Sequence, residues 1–207
     1  CRLMRKYLKW IILILCFVIF TYIAINIYID NELLFDNIIY DFMDRYFIND
    51  NITRIVKVIT QFGDVLCIIF VCIISLFIFR DRKINVCIVS NLIIVTILNN
   101  LLKIIFMRER PDINPLTIEN TYSFPSGHSM ISMAFYGYLI YLIYNHISNK
   151  KIRYLLITGI CILILLVGIS RIYLGVHYAS DVIGGFCFSI SYLIIFTYIS
   201  KKIIKKI

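Results

Sequence analysis

The chain has 207 residues, is 61% hydrophobic and carries a formal net charge of +9. Soluble domains are on average about half apolar, so this composition excludes an ordinary soluble enzyme and favours one compact membrane bundle over residues 1–207. The basic residues stand in short clusters beside apolar runs, as at the cytoplasmic side of membrane proteins, which argues against nucleic-acid binding. All seven cysteines except Cys1 lie inside apolar runs, and no CxxC spacing occurs. We therefore predict no disulfide framework and no metal site.

Six apolar segments approach the roughly 20 residues that a membrane-spanning helix needs. They cover residues 8–29, 64–79, 84–106, 128–145, 152–170 and 182–200. The sequence therefore predicts an all-α fold, an integral membrane bundle of six transmembrane helices. The basic stretch before the first segment resembles the start of a signal peptide. We interpret the first segment as an uncleaved span, because it is too long for a signal peptide and no small-residue cleavage site follows.

Residues 30–62, between the first two spans, combine six acidic residues with apolar residues at helical spacing. A charged face opposite an apolar face is typical of a helix that lies in the membrane interface. We therefore predict an extracytoplasmic interfacial helix in this segment. A lid over a site is the alternative interpretation.

The third span carries Asn91, Asn99, Asn100 and Lys103. Polar groups at membrane depth are unfavourable unless they face the interior of a bundle. We therefore expect the outer end of this helix to border a polar cavity. All three prolines of the chain lie between the third and fourth spans, which predicts an irregular connection there.

The basic residues predict the orientation. Fourteen of the 21 lie in the N-terminal stretch, the connections between spans two and three and between spans four and five, and the C-terminal tail, and Asp81 is the one acid among them. Six spans put these segments on one side, which should be cytoplasmic. The sequence thus predicts a multi-pass protein of the cell membrane with both termini in the cytoplasm.

Three polar clusters stand at the predicted outer ends of the spans. They comprise Lys103, Arg110 and Pro111; Pro125, Ser126, Gly127 and His128; and Ser170, Arg171, His177 and Asp181. The first closes span three, the second opens span four, and the third connects spans five and six. The predicted topology brings all three to one membrane level, on the extracytoplasmic side.

The basic members of these clusters predict a phosphate pocket. Arginine binds tetrahedral oxyanions with a planar fork and lysine adds a point charge, so Lys103, Arg110 and Arg171 are candidate ligands. Ser126 and Gly127 precede a helix whose first N–H groups lack partners, which is a natural anion site. Arg108 is a further candidate contact.

His177 and Asp181 are four residues apart. On a helix they would share one face, so the carboxylate would hold Nδ1–H and leave Nε2 of His177 free to attack. His128 would protonate the departing oxygen and later activate water. Taken singly, the basic residues could snorkel to the interface and the His177–Asp181 pair could be structural. Neither alternative explains why three clusters converge at one face.

In their order and spacing, the three clusters resemble the motifs K-x6-RP, PSGH and SR-x5-H-x3-D of the type 2 phosphatidic acid phosphatase family, which shares its active site with vanadium haloperoxidases. All defining residues are present between residues 103 and 181. The resemblance implies a phosphohistidine on His177 and a general acid at His128. It also implies that Lys103, Arg110, Ser126, Gly127 and Arg171 bind the phosphate, with no metal ion and no other cofactor.

The resemblance implies a lipid phosphate as substrate, and the small size is typical of a bacterial member. The substrate can be an undecaprenyl-type prenyl diphosphate, phosphatidylglycerol phosphate or phosphatidic acid, and the sequence does not choose among them or give the oligomeric state. One alternative is a phosphotransferase that uses an acceptor other than water. The other is a transporter or scaffold that binds anionic lipid without chemistry, which would have no need of His177 beside Asp181.

Overall fold

The computed structural model describes residues 2–30, 33–111 and 115–204, and in these ranges the protein consists of helices and connecting turns without a strand. The helices are α1 (Arg2–Asp30), α2 (Leu34–Tyr46), α3 (Asp50–Gln61), α4 (Val65–Ile78), α5 (Arg82–Phe106), α6 (Gly127–His146), α7 (Lys150–Tyr173) and α8 (Ala179–Ile204). The all-α prediction is confirmed for these ranges.

Each apolar segment of the sequence coincides with one helix, namely α1, α4, α5, α6, α7 and α8. In the described part of the chain, four helices are long and apolar enough to cross a membrane: α1 from Tyr7, α5, α7 and α8. A fifth span results if α3 and α4, which meet at 50°, form one bent pair. Helix α4 alone has 14 residues, about 21 Å of helix. That length is short of a hydrocarbon core of roughly 30 Å.

Helix α6 lies inside the bundle, packed against α5, α7 and α8. Its buried side chains include Ser129, Ser132, Tyr136 and Tyr138. The polar groups that lower its hydropathy therefore face other helices. A helix surrounded by protein needs a less apolar surface than one that faces lipid.

Two glycines at the start of α8 allow it to approach α6 closely. A Cβ atom on Gly185 would lie 3.2 Å from the carbonyl oxygen of Ser126, and one on Gly184 would lie 2.6 Å from the ring of Phe124. Small residues permit such close backbone contacts between helices. The start of α6 and the start of α8 are thereby brought together, and both carry motif residues.

The segment predicted as one interfacial helix contains two helices, so the predicted count is wrong; its residues 31 and 32 lie outside the described ranges. The helix is interrupted between Tyr46 and Asp50. The side chain of Asn49 accepts a hydrogen bond from the backbone N of Ile52 at 3.0 Å and caps α3. Helix α2 packs against α7 and α8, and α3 packs against α7. Both helices therefore lie at the end of the bundle where α7 ends and α8 begins.

The polar face of α5 is directed inward, as predicted. Asn91, Asn99 and Lys103 are buried together with Val95, whereas Asn100 is exposed. The four buried residues follow one another at intervals of four, so they form one stripe along the helix. This stripe leads to the end of the bundle that holds the motif residues.

Candidate active site

The three motif clusters meet at one end of the bundle, where α5 and α7 end and α6 and α8 begin. Backbone hydrogen bonds connect them: Ser126 N donates to the carbonyl oxygen of Asp181 at 3.2 Å, and Ser123 N donates to that of Arg108 at 2.9 Å. Lys103, His177 and Asp181 are all buried. The convergence expected from topology is therefore present in the structure.

His177 lies in the short connection between α7 and α8 and is 3% exposed. The chain reverses at Gly175, whose φ of 69° is a conformation that favours glycine. Nδ1 of His177 lies 3.4 Å from Oδ2 of Asp181 in the first turn of α8. Asp181 Oδ2 also accepts hydrogen bonds from Tyr178 N at 2.9 Å and from the hydroxyl of Ser123. The pair forms although His177 precedes the helix, because Asp181 is at its N-terminal end.

The contacts of His177 indicate its tautomer. Nε2 lies 3.3 Å from Nη1 of Arg110. Arginine can only donate, so Nε2 is the acceptor and the proton resides on Nδ1, beside Asp181. Burial lowers the pKa of His177 to about 3, with the hydrogen bond to Asp181 opposing the shift and the charges of Arg110 and Arg171 adding to it. The imidazole is therefore neutral at physiological pH and has a lone pair on Nε2.

Arg110 and Lys103 are held by the same threonine. Thr121 Oγ1 accepts hydrogen bonds from Nζ of Lys103 at 2.9 Å and from Nη2 of Arg110 at 3.1 Å. Arg110 Nε donates to the carbonyl oxygen of Thr121 at 2.7 Å, and Nη1 donates to that of Val176 at 2.6 Å. Lys103 Nζ also donates to the carbonyl oxygen of Tyr122 at 2.6 Å. Arg110 is thus fixed beside His177, and Lys103 is fixed close to Arg110.

Arg171 approaches the site from α7. Its Nη1 donates to Oγ1 of Thr60 at the end of α3, at 2.6 Å, and its Nη2 forms an ion pair with Glu119. Glu119 is 29% exposed, and its other oxygen lies 3.9 Å from Nη2 of Arg110. A carboxylate from the connection between α5 and α6 therefore bridges the two arginines that were predicted to bind phosphate. Their arrangement suits an oxyanion.

His128 lies in the first turn of α6, and its Nε2 is 2.7 Å from Oδ1 of Asp64, at the start of α4. The sequence did not predict this partner. Ser126 is the N-cap of α6, and its hydroxyl accepts hydrogen bonds from the backbone N and the hydroxyl of Ser129 at 3.5 and 3.0 Å. Gly127 packs so closely that a Cβ atom there would lie 3.1 Å from Oδ1 of Asn99. The start of α6 is thus tightly enclosed.

Arg108 and Asp36 also belong to the site, although neither residue is part of the three motifs. Nη1 of Arg108 donates to Asp181 Oδ1 at 2.6 Å, and Nη2 donates to Asp36 Oδ2 at 2.9 Å. Asp36 also accepts hydrogen bonds from the backbone N and hydroxyl of Ser180. The acid was expected on the charged face of an interfacial helix, but it is buried. One signal was available: Asp36 is spaced three from both Leu33 and Ile39, which puts an acid on the apolar side of α2.

Within residues 2–30, 33–111 and 115–204, no group of three or more His, Cys, Asp or Glu residues is arranged to hold a metal ion. The six described cysteines are free. Lys103, Arg110 and Arg171 are the cationic motif residues that the structure brings to this end of the bundle.

The fold and the site define a membrane protein of one family. The chain belongs to the PAP2 superfamily, whose family model matches residues 84–205. Phosphatidylglycerophosphatase B of Bacillus subtilis is 45% identical over 94 residues, which cover 44% of this chain and 45% of that relative, so the match spans under half of its length. The undecaprenyl-diphosphatase of Sulfolobus acidocaldarius is 30% identical over 192 residues, which cover 88% of this chain and 86% of that relative.

Two solved structures are similar. One is the crystal structure of a transmembrane PAP2 type phosphatidylglycerolphosphate phosphatase from Bacillus subtilis, with a TM-score of 0.84 and 27% identity, which covers 94% of this chain and 98% of that one. The other is Aquifex aeolicus LpxE, with a TM-score of 0.65 and 24% identity over 83% of this chain and 97% of that one. The second likeness concerns the fold alone.

Proposed function

We propose that this protein is a membrane lipid phosphatase that hydrolyses a lipid phosphomonoester or diphosphate through a phosphohistidine on His177. The observation that carries this proposal is the buried imidazole of His177, whose Nδ1 is held by Asp181 and whose Nε2 faces Arg110. An anion-binding protein without chemistry would have no need of this pair. A nucleophile oriented by a carboxylate and surrounded by cations is suited to phosphoryl transfer.

In the first step, Nε2 of His177 attacks phosphorus while the bond to the leaving oxygen breaks. Lys103, Arg110 and Arg171 stabilise the charge on the phosphoryl oxygens, and the N-terminal end of α6 at Ser126 and Gly127 adds to the anion site. Protonated His128 gives its proton to the leaving oxygen. Asp181 stabilises the positive imidazole of the phosphohistidine.

In the second step, neutral His128 takes a proton from water as the water oxygen attacks phosphorus. The P–N bond breaks, orthophosphate leaves, and His177 returns to its neutral form. Three fixed cations supply the charge that Mg²⁺ supplies in many phosphoryl transferases. The reaction is therefore proposed to be independent of metal ions.

The names of the relatives support a lipid as substrate. The bacterial relative is named for phosphatidylglycerophosphate and the archaeal one for undecaprenyl diphosphate. A site at one end of a membrane bundle, where the proposed topology puts the lipid headgroups, suits both. Phosphatidylglycerol phosphate, a prenyl diphosphate and phosphatidic acid are the substrates that we propose to test.

The proposed topology has six spans, α1, α4, α5, α6, α7 and α8, with α2 and the start of α3 at the membrane surface. The end of α3 completes the span of α4, which alone is too short. Its support is the distribution of charge: the connections from α4 to α5 and from α6 to α7 and the end of α8 are basic and lie opposite the site. Basic connections mark the cytoplasmic side. The site then faces the extracytoplasmic side, and both termini are cytoplasmic.

The test uses purified protein in detergent with EDTA and the three candidate lipids. The expected result is orthophosphate release that vanadate inhibits and that His177→Ala reduces by more than about 10³-fold. Lipid binding should survive in this variant. A ³²P-labelled substrate and a base quench should trap phosphoenzyme in the wild type but not in His177→Ala. Label transferred to an added alcohol would indicate a phosphotransferase, and strict dependence on Mg²⁺ or turnover by His177→Ala would contradict the proposal.

A further inference from the structure

The turn between α3 and α4, residues 62–64, contacts His128 at two points. Oδ1 of Asp64 lies 2.7 Å from Nε2 of His128. Gly63 is so close that a Cβ atom there would lie 2.7 Å from Cδ2 of the same ring. The edge of the imidazole that contains Cδ2 and Nε2 therefore faces the turn. The opposite edge, which carries Nδ1, is directed away from it.

The carboxylate of Asp64 does not make the local contact that its position favours. Asp64 is the N-cap of α4, where an aspartate commonly accepts hydrogen bonds from the first N–H groups of the helix, yet it makes no such bond. Asn49, Asp81 and Asn149, at the N-caps of α3, α5 and α7, all do so. The side chain of Asp64 instead bonds His128, which indicates a role at the site.

The turn is fixed to the helices that carry the site. The hydroxyl of Tyr136 donates to the carbonyl oxygen of Phe62 at 2.7 Å. Tyr136 is eight residues after His128, so it stands on the same face of α6 two turns away. On the other side of the turn, Thr60 bonds Arg171 of α7. These contacts on both sides of the turn fix the position of Asp64 relative to His128.

The charged groups around His128 come from three elements: Asp64 from the turn, Arg171 from α7 and Glu119 from the connection between α5 and α6. Burial and the charge of Arg171 favour the neutral imidazole, and the two carboxylates favour the imidazolium. Asp64 is the one in direct contact. The side chain of His128 is 15% exposed and that of Asp64 is 49% exposed, so the pair lies at the boundary between site and solvent.

We infer that Asp64 is a positioning residue for the general acid: it accepts Nε2–H of His128, so the imidazolium presents Nδ1–H to the leaving oxygen. The inference rests on the proposed function. In the first step the Nδ1 proton moves to the leaving oxygen as the P–O bond breaks. In the second step Nδ1 takes a proton from the attacking water. Nε2–H remains bonded to Asp64 throughout.

The site then contains two aspartate–histidine pairs, in which the aspartates bond different ring nitrogens. Asp181 bonds Nδ1 of His177, which leaves Nε2 as the nucleophile. Asp64 bonds Nε2 of His128, which leaves Nδ1 as the acid and base. A carboxylate that fixes one ring nitrogen sets the role of the other.

The test compares Asp64→Asn with Asp64→Glu and with Asp44→Asn, which removes the same charge from an exposed position on α2. Two substrates are used: p-nitrophenyl phosphate, and the alkyl phosphomonoester lipid that the wild type hydrolyses fastest. An alkoxide needs a proton to depart, whereas nitrophenolate departs without one. Asp64→Asn should lower kcat/KM for the lipid, which reports the steps up to formation of the phosphohistidine, by about 10- to 100-fold. It should lower kcat/KM for p-nitrophenyl phosphate much less. Asp64→Glu should restore part of the activity.

The pH profile gives a second readout. Loss of the Asp64 carboxylate favours the neutral imidazole of His128. The alkaline limb of the pH profile of kcat/KM should therefore move to lower pH in Asp64→Asn, and it should not move in Asp44→Asn. In a His128→Gln background, Asp64→Asn should have no further effect. Thermal unfolding in detergent establishes that each variant is folded.

The outcomes separate this inference from the proposed function. If Asp64→Asn behaves like Asp44→Asn, or lowers kcat/KM equally for both substrates, or adds its effect to that of His128→Gln, the positioning role is overturned. The proposed function would still stand if the wild type released orthophosphate and His177→Ala did not. If the wild type hydrolyses no lipid phosphate, the proposed function itself fails.

Discussion

Asp36 and Asp181, from the first turns of α2 and α8, bond to the same guanidinium group, that of Arg108. All three side chains are almost completely buried. The surface helix α2 is thereby connected through two ion pairs to the carboxylate that orients His177. Removal of one partner from such a cluster leaves a buried charge without compensation.

Asp36→Asn should therefore destabilise the protein and lower its activity. We expect the free energy of unfolding to fall by about 3–5 kcal/mol and kcat to fall because Asp181 loses part of its support. Thermal unfolding in detergent and orthophosphate release measure the two effects. Asp41→Asn, an exposed acid on the same helix, is the control. Equal melting temperatures for the two variants would contradict the structural role of Asp36.

The low pKa of His177 predicts how stability depends on pH. The folded protein keeps this imidazole neutral down to a pKa of about 3, whereas the unfolded chain binds the proton near its usual pKa of about 6.5. The unfolded state therefore binds more protons between these values, and stability should fall as pH decreases through that window. In His177→Asn this contribution is absent. The decrease in melting temperature from pH 7 to pH 5 should then be smaller than in the wild type; an unchanged decrease would refute a neutral buried His177.

Glu119 should compete with anions for Arg171 and Arg110. Its carboxylate bonds Arg171 and lies 3.9 Å from Arg110, so a bound oxyanion must share or replace that contact. Glu119→Gln should lower the inhibition constant for vanadate by about 3- to 10-fold, the effect of a partly exposed ion pair. Glu109→Gln removes an exposed acid from the same connection and should leave the constant unchanged. Weaker vanadate inhibition in Glu119→Gln would show that the carboxylate assists binding.

Close packing of α8 against α6 should depend on Gly185. A methyl group there would lie 3.2 Å from Ser126 O and 3.4 Å from Met130 N, and backbone atoms cannot move aside without separating the helices. We expect Gly185→Ala to lower the free energy of unfolding by about 1–3 kcal/mol and to reduce kcat. Gly159→Ala in α7 meets no atom within 4 Å and should be neutral or slightly stabilising. Similar melting temperatures for both variants would argue against this packing.

Much of the site could be predicted from the sequence because its residues carry two kinds of local signal. Lys103, Arg110 and Arg171 are charged residues at the ends of apolar runs, so they are easily identified in the sequence. His177 and Asp181 are only four residues apart, so their proximity could be predicted, although His177 precedes the helix that was expected to hold both. The predicted spans likewise depend on composition over about 20 residues, and each coincides with a helix.

The partners of these residues could not be predicted in the same way. Asp64, Thr60 and Glu119 contact His128 and Arg171 across long stretches of chain. Spacing says nothing about such contacts, because they depend on how α3 and the connection between α5 and α6 pack against α7. The two-helix form of residues 33–61 depends on one capping side chain, Asn49, within a continuous amphipathic pattern.

Helices α2 and α3 and the turn before α4 supply partners to the site, although they lie outside the stretch that matches the family. Residues 84–205, which match the family, contain His128 and His177 and the three candidate phosphate ligands Lys103, Arg110 and Arg171. Yet Arg108, Arg171 and His128 each bond a residue from before that stretch. If α5–α8 were excised, the fragment would retain every motif residue. It would lack the partners that hold three of the site's side chains in place. Transplanting the chemistry into another scaffold would require moving the N-terminal third of the chain as well.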